Sequence, residues 1–477
     1  MALVTRNIGL SLGADVDWPK AYEEILARLD LTLPIGRDKV RFHVERTSIE
    51  PYELQAPGRY DLVIDRLTHW YPYQREWIKK AVLLDGTYVF NNPWSVQSME
   101  KHTTYCAMMA LGIPVPRTAM IPPKEYETKA DLNVTLQRYA KFFDLGQMGA
   151  QIGYPAFMKP YDGGGWQGVT KVDDEQGLWR AYDSSGRSVM HLQAGVVPYD
   201  LFVRCIGFGP QTKTVLYDPS APLHKRYTTQ SGFMNAEDQS LIEDITLTIN
   251  AFFGWDFNSC EALLKEHVWY PIDFANPCPD SQVTSLHHHW PWLVKSYLRW
   301  SLFCAATKRP MRVNLDWKPY FDVRKKGLPY RKMVSEYARI ARKQFDADGF
   351  DAFCAKHLSH LDEVAHEWFG SEDCREAIRL KVQALFPAHE HEQFTQHFFD
   401  EVQAWRVVDA AARDARVKPG KKGRRRSEAP VVIAAAPKRA SSAGRGSKSG
   451  LRTSAKTGAK SRSTTRKVAR SGPRNRR

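Results

Sequence analysis

Up to about residue 120, short apolar runs alternate with stretches of helical periodicity. IGLSLG (8–13), VRFHVE (40–45), YDLVID (60–65) and YVFNN (88–92) read as strands, while WPKAYEEILARL (18–29) and residues near 74–84 space their apolar positions as helices do. Such alternation predicts a small α/β layer with a largely parallel sheet. A helix is expected from about Trp94 to Leu111, stopped by Gly112 and Pro114, with a further helical stretch over about 125–147. Residues 153–275 are rich in strand signals, with helices near 174–184 and 236–252. Residues 289–307 and about 328–416 read as helical, and no internal repeat is visible.

Composition sharpens this picture at one end only. With 477 residues and 43% apolar content the chain can bury sizeable cores in two or three domains. Its formal charge of +15 invites a nucleic-acid reading, but residues 417–477 carry 20 Lys and Arg against one acid, leaving 48 basic and 52 acidic residues over 1–416. The basic character belongs to the tail. That segment is Lys, Arg, Ser, Ala, Gly and Thr with almost no aromatics, so it is expected to be disordered. It suits sequence-independent contact with nucleic acid or another polyanion through counterion release; a solubilising tail is the alternative. Seven cysteines without a CxxC pair read as reduced thiols. Acids at Asp15 and Asp17 spoil any N-terminal signal, and no apolar run approaches the ~18 residues of a membrane span. A soluble, cytoplasmic protein without membrane association is expected.

The most informative stretch is PAFMKPYDGGGWQGVTKV, residues 155–172. Gly163, Gly165 and Gly168 spell GxGxxG, but a dinucleotide fingerprint needs a helix to begin at the loop, and here a strand-like GVTKV follows. Nor is it a Walker A loop, since Val169 and Thr170 stand where Lys-Ser/Thr belongs. What remains is a glycine flap, Gly163, Gly164, Gly165 and Gly168, joining two antiparallel strands. It can bring backbone N–H groups to phosphate oxygens, with Lys159 on the incoming strand beneath it. A surface hairpin whose glycines make a turn is the alternative. Protein kinases also use a glycine flap, but HRD and DFG are absent.

Strand, Lys-Pro, glycine flap and Gly-Val-x-Lys-Val together resemble the ATP-grasp superfamily, in its D-alanine ligase and RimK-like glutamate ligase branch, over about residues 90–280. Upstream, MEKHTTYCAMMALGIPVPRTAMI (99–121) is similar to the family's helix with a nucleotide-contacting lysine, which would be Lys101. MHLQAGVVPYDLFVRCIG (190–207) resembles the hinge that meets adenine. The resemblance assigns Gln193 to the adenine edge, Ala194 and Val196 to backbone contacts, and Asp200 to the ribose. Gln193 departs from the family's more frequent Glu, though an amide can also accept from the adenine amino group. Arg204 on the next strand, with Lys225 and Arg226 further on, are candidates to neutralise phosphate or an acidic substrate.

The resemblance also implies Mg²⁺, with Mn²⁺ as a substitute. GWDFNSCEALLKEHVWYPIDFANPCPD (254–280) is similar to the family's two terminal strands, and Glu261, Asp273 and Asn276 are the implied ligands. The family has acid-x-Asn, whereas this chain has Asp273-Phe-Ala-Asn276, which period-two geometry would split between opposite faces. A one-residue bulge would restore the pairing. His287, His288 and His289 are consecutive and cannot all face one metal ion; they are read as structural or solvent-facing, or one of them as lining an acceptor pocket.

The expected organisation is therefore an N-terminal α/β domain (1–120), an ATP-grasp domain of paired α+β subdomains (121–315), a helical extension (316–416) and the basic tail (417–477). What the resemblance implies is ATP-dependent ligation of a small-molecule or peptide carboxylate to a nucleophilic acceptor, an amine or a thiol. A non-catalytic ATP-binding protein and a nucleic-acid-associated protein acting through its tail are the alternatives. Oligomeric state is not legible.

Overall fold

A computed structural model describes residues 1–98, 100–162 and 167–417. The expected tail thus lies outside the described residues, apart from Val417. The chain opens on β1 (Ala2–Ser11), α1 (Asp17–Leu29), β2 (Thr32–Ile35), β3 (Asp38–Arg46), β4 (Leu62–Asp65), α2 (Pro72–Asp85) and β5 (Tyr88–Val89). These strands form a sheet of order β2-β3-β1-β4-β5, parallel except for the β2–β3 hairpin. The largely parallel sheet read from the apolar runs is what forms.

The helix expected from Trp94 to Leu111 is two: α3 (Pro93–Ser98) and α4 (Lys101–Leu111). Glu100 has extended backbone, φ −73° and ψ 179°, which ends any continuous helix and makes Lys101 the first residue of α4. The helical stretch at 125–147 likewise divides. After β6 (Thr118–Ile121), α5 (Ala130–Tyr139) ends at an extended Ala140, and α6 (Leu145–Ile152) starts afresh with its Asp144 cap accepting from the Gln147 N–H.

Then come β7 (Ala156–Pro160), β8 (Thr170–Val172), α7 (Glu175–Ser184) and β9 (Met190–Ala194). With β6 they make an antiparallel sheet of order β6-β9-β7-β8. Residues of α6 and α7 cover one of its faces, against Ala156, Met158 and Leu192. A third sheet follows from β10 (Leu201–Phe208) and β11 (Gln211–Leu216), then α8 (Ala236–Phe253), β12 (Phe257–Lys265) and β13 (Val268–Asp273), in the order β11-β10-β12-β13, also antiparallel. The mixed α/β and α+β class is the observed one.

The remaining helices are α9 (Val283–Leu286), α10 (Trp290–Ala306), α11 (Lys318–Arg324), α12 (Tyr330–Phe345), α13 (Ala347–His357), α14 (Leu361–Phe369), α15 (Glu372–Leu385) and α16 (His391–Val417). They share cores with the elements before them. On β10, alternate residues Val203 and Cys205 join Ile242, Ile245 and Ile249 of α8 and Tyr337 of α12, while Phe202, Ile206 and Phe208 join α10. Trp18 of α1 stacks on Tyr297 of α10 with centroids 4.2 Å apart, and Trp368 of α14 donates its indole N–H to Glu24 of α1 at 2.9 Å. The described residues fall within one compact unit. No helix among them is long and apolar enough to cross a membrane, and all seven cysteines are free thiols.

Candidate nucleotide and metal site

Period two decides which side chains of the smaller sheet reach its uncovered face. Lys159 lies opposite His191 across the β7–β9 ladder, and Phe157 opposite Gln193, so Lys159, His191 and Gln193 share one face, away from α6 and α7. All three are buried. The Lys159 ammonium donates to the Gln193 amide oxygen at 2.7 Å, and the same amide donates to the Thr118 hydroxyl at 2.9 Å. Burial pushes the Lys159 ammonium down from its ordinary 10.5 to about 8; Asp273 opposes this and Lys101 adds to it. Asp273 ends β13, so a carboxylate of one antiparallel sheet lies near the buried lysine of the other.

Lys101, at the start of α4, is 3.2 Å from the Asp273 carboxylate and buried. Two cations and an acid therefore meet at one point, the composition a polyphosphate with a divalent cation would complement.

The metal-strand candidates converge by a route the sequence did not show. Asp273 stands directly opposite Glu261, yet Ala262 stands opposite Pro271, so Ile272 is an extra residue. The bulge thus precedes Asp273, where the sequence reading placed it between Asp273 and Asn276. Without it Asp273 would not pair with Glu261, since one residue of slip turns a side chain to the other face. Asn276 lies beyond the end of β13, so strand periodicity does not govern it. Its amide donates to the Ser259 hydroxyl at 3.0 Å, and Ser259 is two residues from Glu261 on the same face of β12. Three oxygen-bearing side chains thus share one strip of β12 and β13. Asp273 Oδ1 is buried with no hydrogen-bond partner, a carboxylate oxygen that fits a hard divalent cation. Among the described residues no group of three or more His, Cys, Asp or Glu side chains could hold a metal ion.

Arg204 lies opposite Glu261 on β10 and forms an ion pair with it. Its other arm donates to the Tyr227 hydroxyl, and its guanidinium lies 5.0 Å from the Tyr217 ring centroid and 5.4 Å from that of Tyr227. Lys225, on a single 3-10 turn (Leu223–Lys225), is exposed, and Arg226 donates to the Ala221 carbonyl at 3.0 Å within its own loop. Neither joins Arg204 at the acid.

At the hinge, Val196 is buried in the core that holds Phe202 and Leu263. The Ala194 N–H donates to the Arg117 carbonyl at 2.8 Å, and the N–H of exposed Asp200 to the Leu264 carbonyl at 2.7 Å. Gly163, Gly164 and Gly165 lie outside the described residues. Gly168 is described, with φ +70°, and a Cβ there would sit 2.9 Å from the Pro160 ring, so both backbone and space favour glycine. β7 and β8, which the flap joins, are antiparallel.

Two buried groups escaped the sequence reading. His191 Nε2 lies 3.2 Å from His102 Nδ1, and burial, with His102 and the two lysines nearby, pushes its imidazole down to about 4, so it is neutral. Its place two residues before Gln193 was the available signal. Tyr105, four residues after Lys101 and so on the same face of α4, donates to the Ile272 carbonyl at 2.7 Å. Of the three consecutive histidines, His287 and His289 are buried, and His289 Nε2 lies 2.8 Å from the Thr228 carbonyl.

Buried lysines of α4 and β7 thus lie beside a paired carboxylate strip on β12 and β13. No protein-family model matches the sequence, and no curated protein matches it. Among solved structures the chain is similar to a RimK-domain ATP-grasp protein from Sphaerobacter thermophilus, at 14% identity over 57% of this chain and 92% of that one, TM-score 0.39. It is also similar to a D-alanine–D-alanine ligase from Bacillus anthracis complexed with ATP, at 14% identity over 67% and 99%, TM-score 0.39. A third is VanG D-Ala:D-Ser ligase from Enterococcus faecalis, at 13% identity over 71% and 100%, TM-score 0.40.

Proposed function

We propose that this chain is an ATP-dependent ligase that activates a carboxylate as an acylphosphate and transfers the acyl group to an amine or a thiol. The observation that carries the proposal is the convergence of Glu261, Asp273 and Asn276 on one strip beside Lys101 and Lys159. Phosphates entering between the lysines would take the place of Asp273 as the partner of Lys101 and leave that carboxylate available to a cation. Glu261, Asp273 and Asn276 would hold Mg²⁺, or Mn²⁺ in its place; when bound, the ion supplies charge neutralisation at the phosphates.

The protein's own part is positioning and electrostatics. Lys101 and Lys159 hold the phosphate chain, and Gln193, Ala194 and Val196 seat the adenine with Asp200 at the ribose. A substrate carboxylate oxygen attacks the γ-phosphorus as the bond to the β-bridging oxygen breaks, giving acylphosphate and ADP. Arg204, held flat by Tyr217 and Tyr227, faces the charge that builds there, with Lys225 and Arg226 as outer candidates. The acceptor then attacks the acyl carbon, inorganic phosphate leaves with the bonding pair, and the acceptor's proton passes to solvent. The tail adds a salt-sensitive attraction for nucleic acid or another polyanion.

Hydroxylamine trapping tests the reaction whatever the natural acceptor is, because hydroxylamine takes its place. Full-length protein with Mg-ATP, hydroxylamine and a panel of amino-acid and peptide carboxylates should form hydroxamate and ADP in equal amounts with at least one carboxylate. ATP binding with no carboxylate-dependent ADP release across the panel would replace the ligase reading with a non-catalytic nucleotide-binding one.

A further inference from the structure

The metal strip depends on one irregularity, the extra residue Ile272, and a group outside the strip holds it. A bulge takes a residue out of the ladder and leaves its backbone polar groups in need of other partners. The Ile272 carbonyl accepts from the Tyr105 hydroxyl at 2.7 Å. Tyr105 is itself buried, packed between His191 of β9, with centroids 5.6 Å apart, and Phe274, with centroids 5.5 Å apart. One turn earlier on α4, Lys101 pairs with Asp273. A single helix face thus grips two consecutive residues, the bulged carbonyl through Tyr105 and the next side chain through Lys101.

We infer that Tyr105 is a positioning residue for the metal: its hydroxyl fixes the Ile272 bulge and thereby keeps the Asp273 carboxylate opposite Glu261. The inference rests on the metal-site reading above and adds a residue that touches neither nucleotide nor metal. If the hydroxyl is removed, the carbonyl loses its donor and β13 is no longer held in the bulged register. Asp273 then samples positions facing away from Glu261, while the lysines keep their places and Gln193, which the Tyr105 hydroxyl also reaches, keeps its bonds to Lys159 and Thr118. Metal affinity falls, and metal-free nucleotide affinity does not. Loss of a group that orients a metal ligand typically costs about 10-fold or more in metal affinity.

The test compares Tyr105→Phe, which keeps the ring and its packing, with Asp273→Ala and wild type. Each is titrated with ATP by calorimetry in EDTA and in saturating Mg²⁺, and the melting temperature is recorded alongside. The inference expects Tyr105→Phe to bind ATP in EDTA as wild type does and to need about 10-fold more Mg²⁺ for the gain in affinity. Asp273→Ala should lose that gain altogether. A Tyr105→Phe protein with the full Mg²⁺ gain at wild-type Mg²⁺ concentrations overturns the inference and leaves the metal site standing. So does one whose ATP affinity in EDTA falls as much as in Mg²⁺, because that marks a general structural role. An Asp273→Ala protein that keeps the Mg²⁺ gain overturns the metal site itself, and the inference with it. Should Tyr105→Phe fail to fold, Tyr105→Met carries the same comparison, since it removes the donor with a flexible side chain no larger than the ring.

Discussion

The buried ammonium of Lys159 makes nucleotide affinity depend on pH in a calculable way. Burial lowers it from 10.5 to about 8, and the charged form is the one that phosphates bind. Near pH 7 the free site is largely protonated, while at pH 9.5 roughly one site in 30 is. If the bound phosphates keep the lysine charged, ATP affinity falls roughly 30-fold between those values, about 2 kcal/mol. The sign for stability is opposite. A lysine whose folded value lies below its unfolded one costs the unliganded protein about 3 kcal/mol below pH 8, and that cost lifts as pH rises from about 8 to 10.5. Calorimetric titration with ATP from pH 7 to 9.5, in buffers of different ionisation enthalpy, should show affinity falling above pH 8 with uptake of about one proton. Lys159→Arg should flatten the profile, because a guanidinium stays charged throughout. A wild-type affinity that is constant to pH 9.5, or a profile unchanged in Lys159→Arg, would refute the reasoning.

Other outcomes follow from the same structure. Asp256 is buried and accepts from the Tyr88 hydroxyl at 2.6 Å and the Trp300 indole at 2.8 Å. Asp256→Ala should therefore cost about 3 kcal/mol or more in urea unfolding, and a loss under about 1 kcal/mol would show the network to be dispensable. Arg204→Lys cannot hold Glu261 and Tyr227 at once, so carboxylate-dependent ADP release should drop about 10- to 100-fold with little change in ATP affinity; an equal loss of both would place Arg204 in ground-state binding. Deleting residues 418–477 should leave ATP binding intact and abolish any binding to nucleic acid that weakens steeply with salt, as gel shifts at two salt concentrations would show.

How much of this was legible depended on the range of the interaction concerned. GVTKV after the glycines correctly announced a strand, so the antiparallel β7 and β8 were readable. The twelve-residue spacing of Glu261 and Asp273 was legible too, but not that they stand directly opposite each other, which depends on the extra Ile272. The position of the bulge was not, since the apolar pattern near 270 is indifferent to a slip at the strand's end, and the deciding contact comes from Tyr105, far back in the chain. Arg226 and Lys225 looked equivalent to Arg204 as cations; only the fold shows Arg226 turned into its own loop and Lys225 in solvent. Likewise, nothing local in residues 361–385 announces that α14 and α15 contact α1, through pairs such as Trp368–Glu24 and Asp373–Arg28.

The central claim is that Asp273, opposite Glu261 and across from two buried lysines, completes a magnesium–nucleotide site. Its most direct test is calorimetric titration of ATP into the full-length chain and into Asp273→Ala, with and without Mg²⁺. The account predicts that Mg²⁺ tightens ATP binding to the wild type and that the substitution removes the gain while metal-free binding persists. ATP binding that is indifferent to Mg²⁺ and to Asp273 would contradict it.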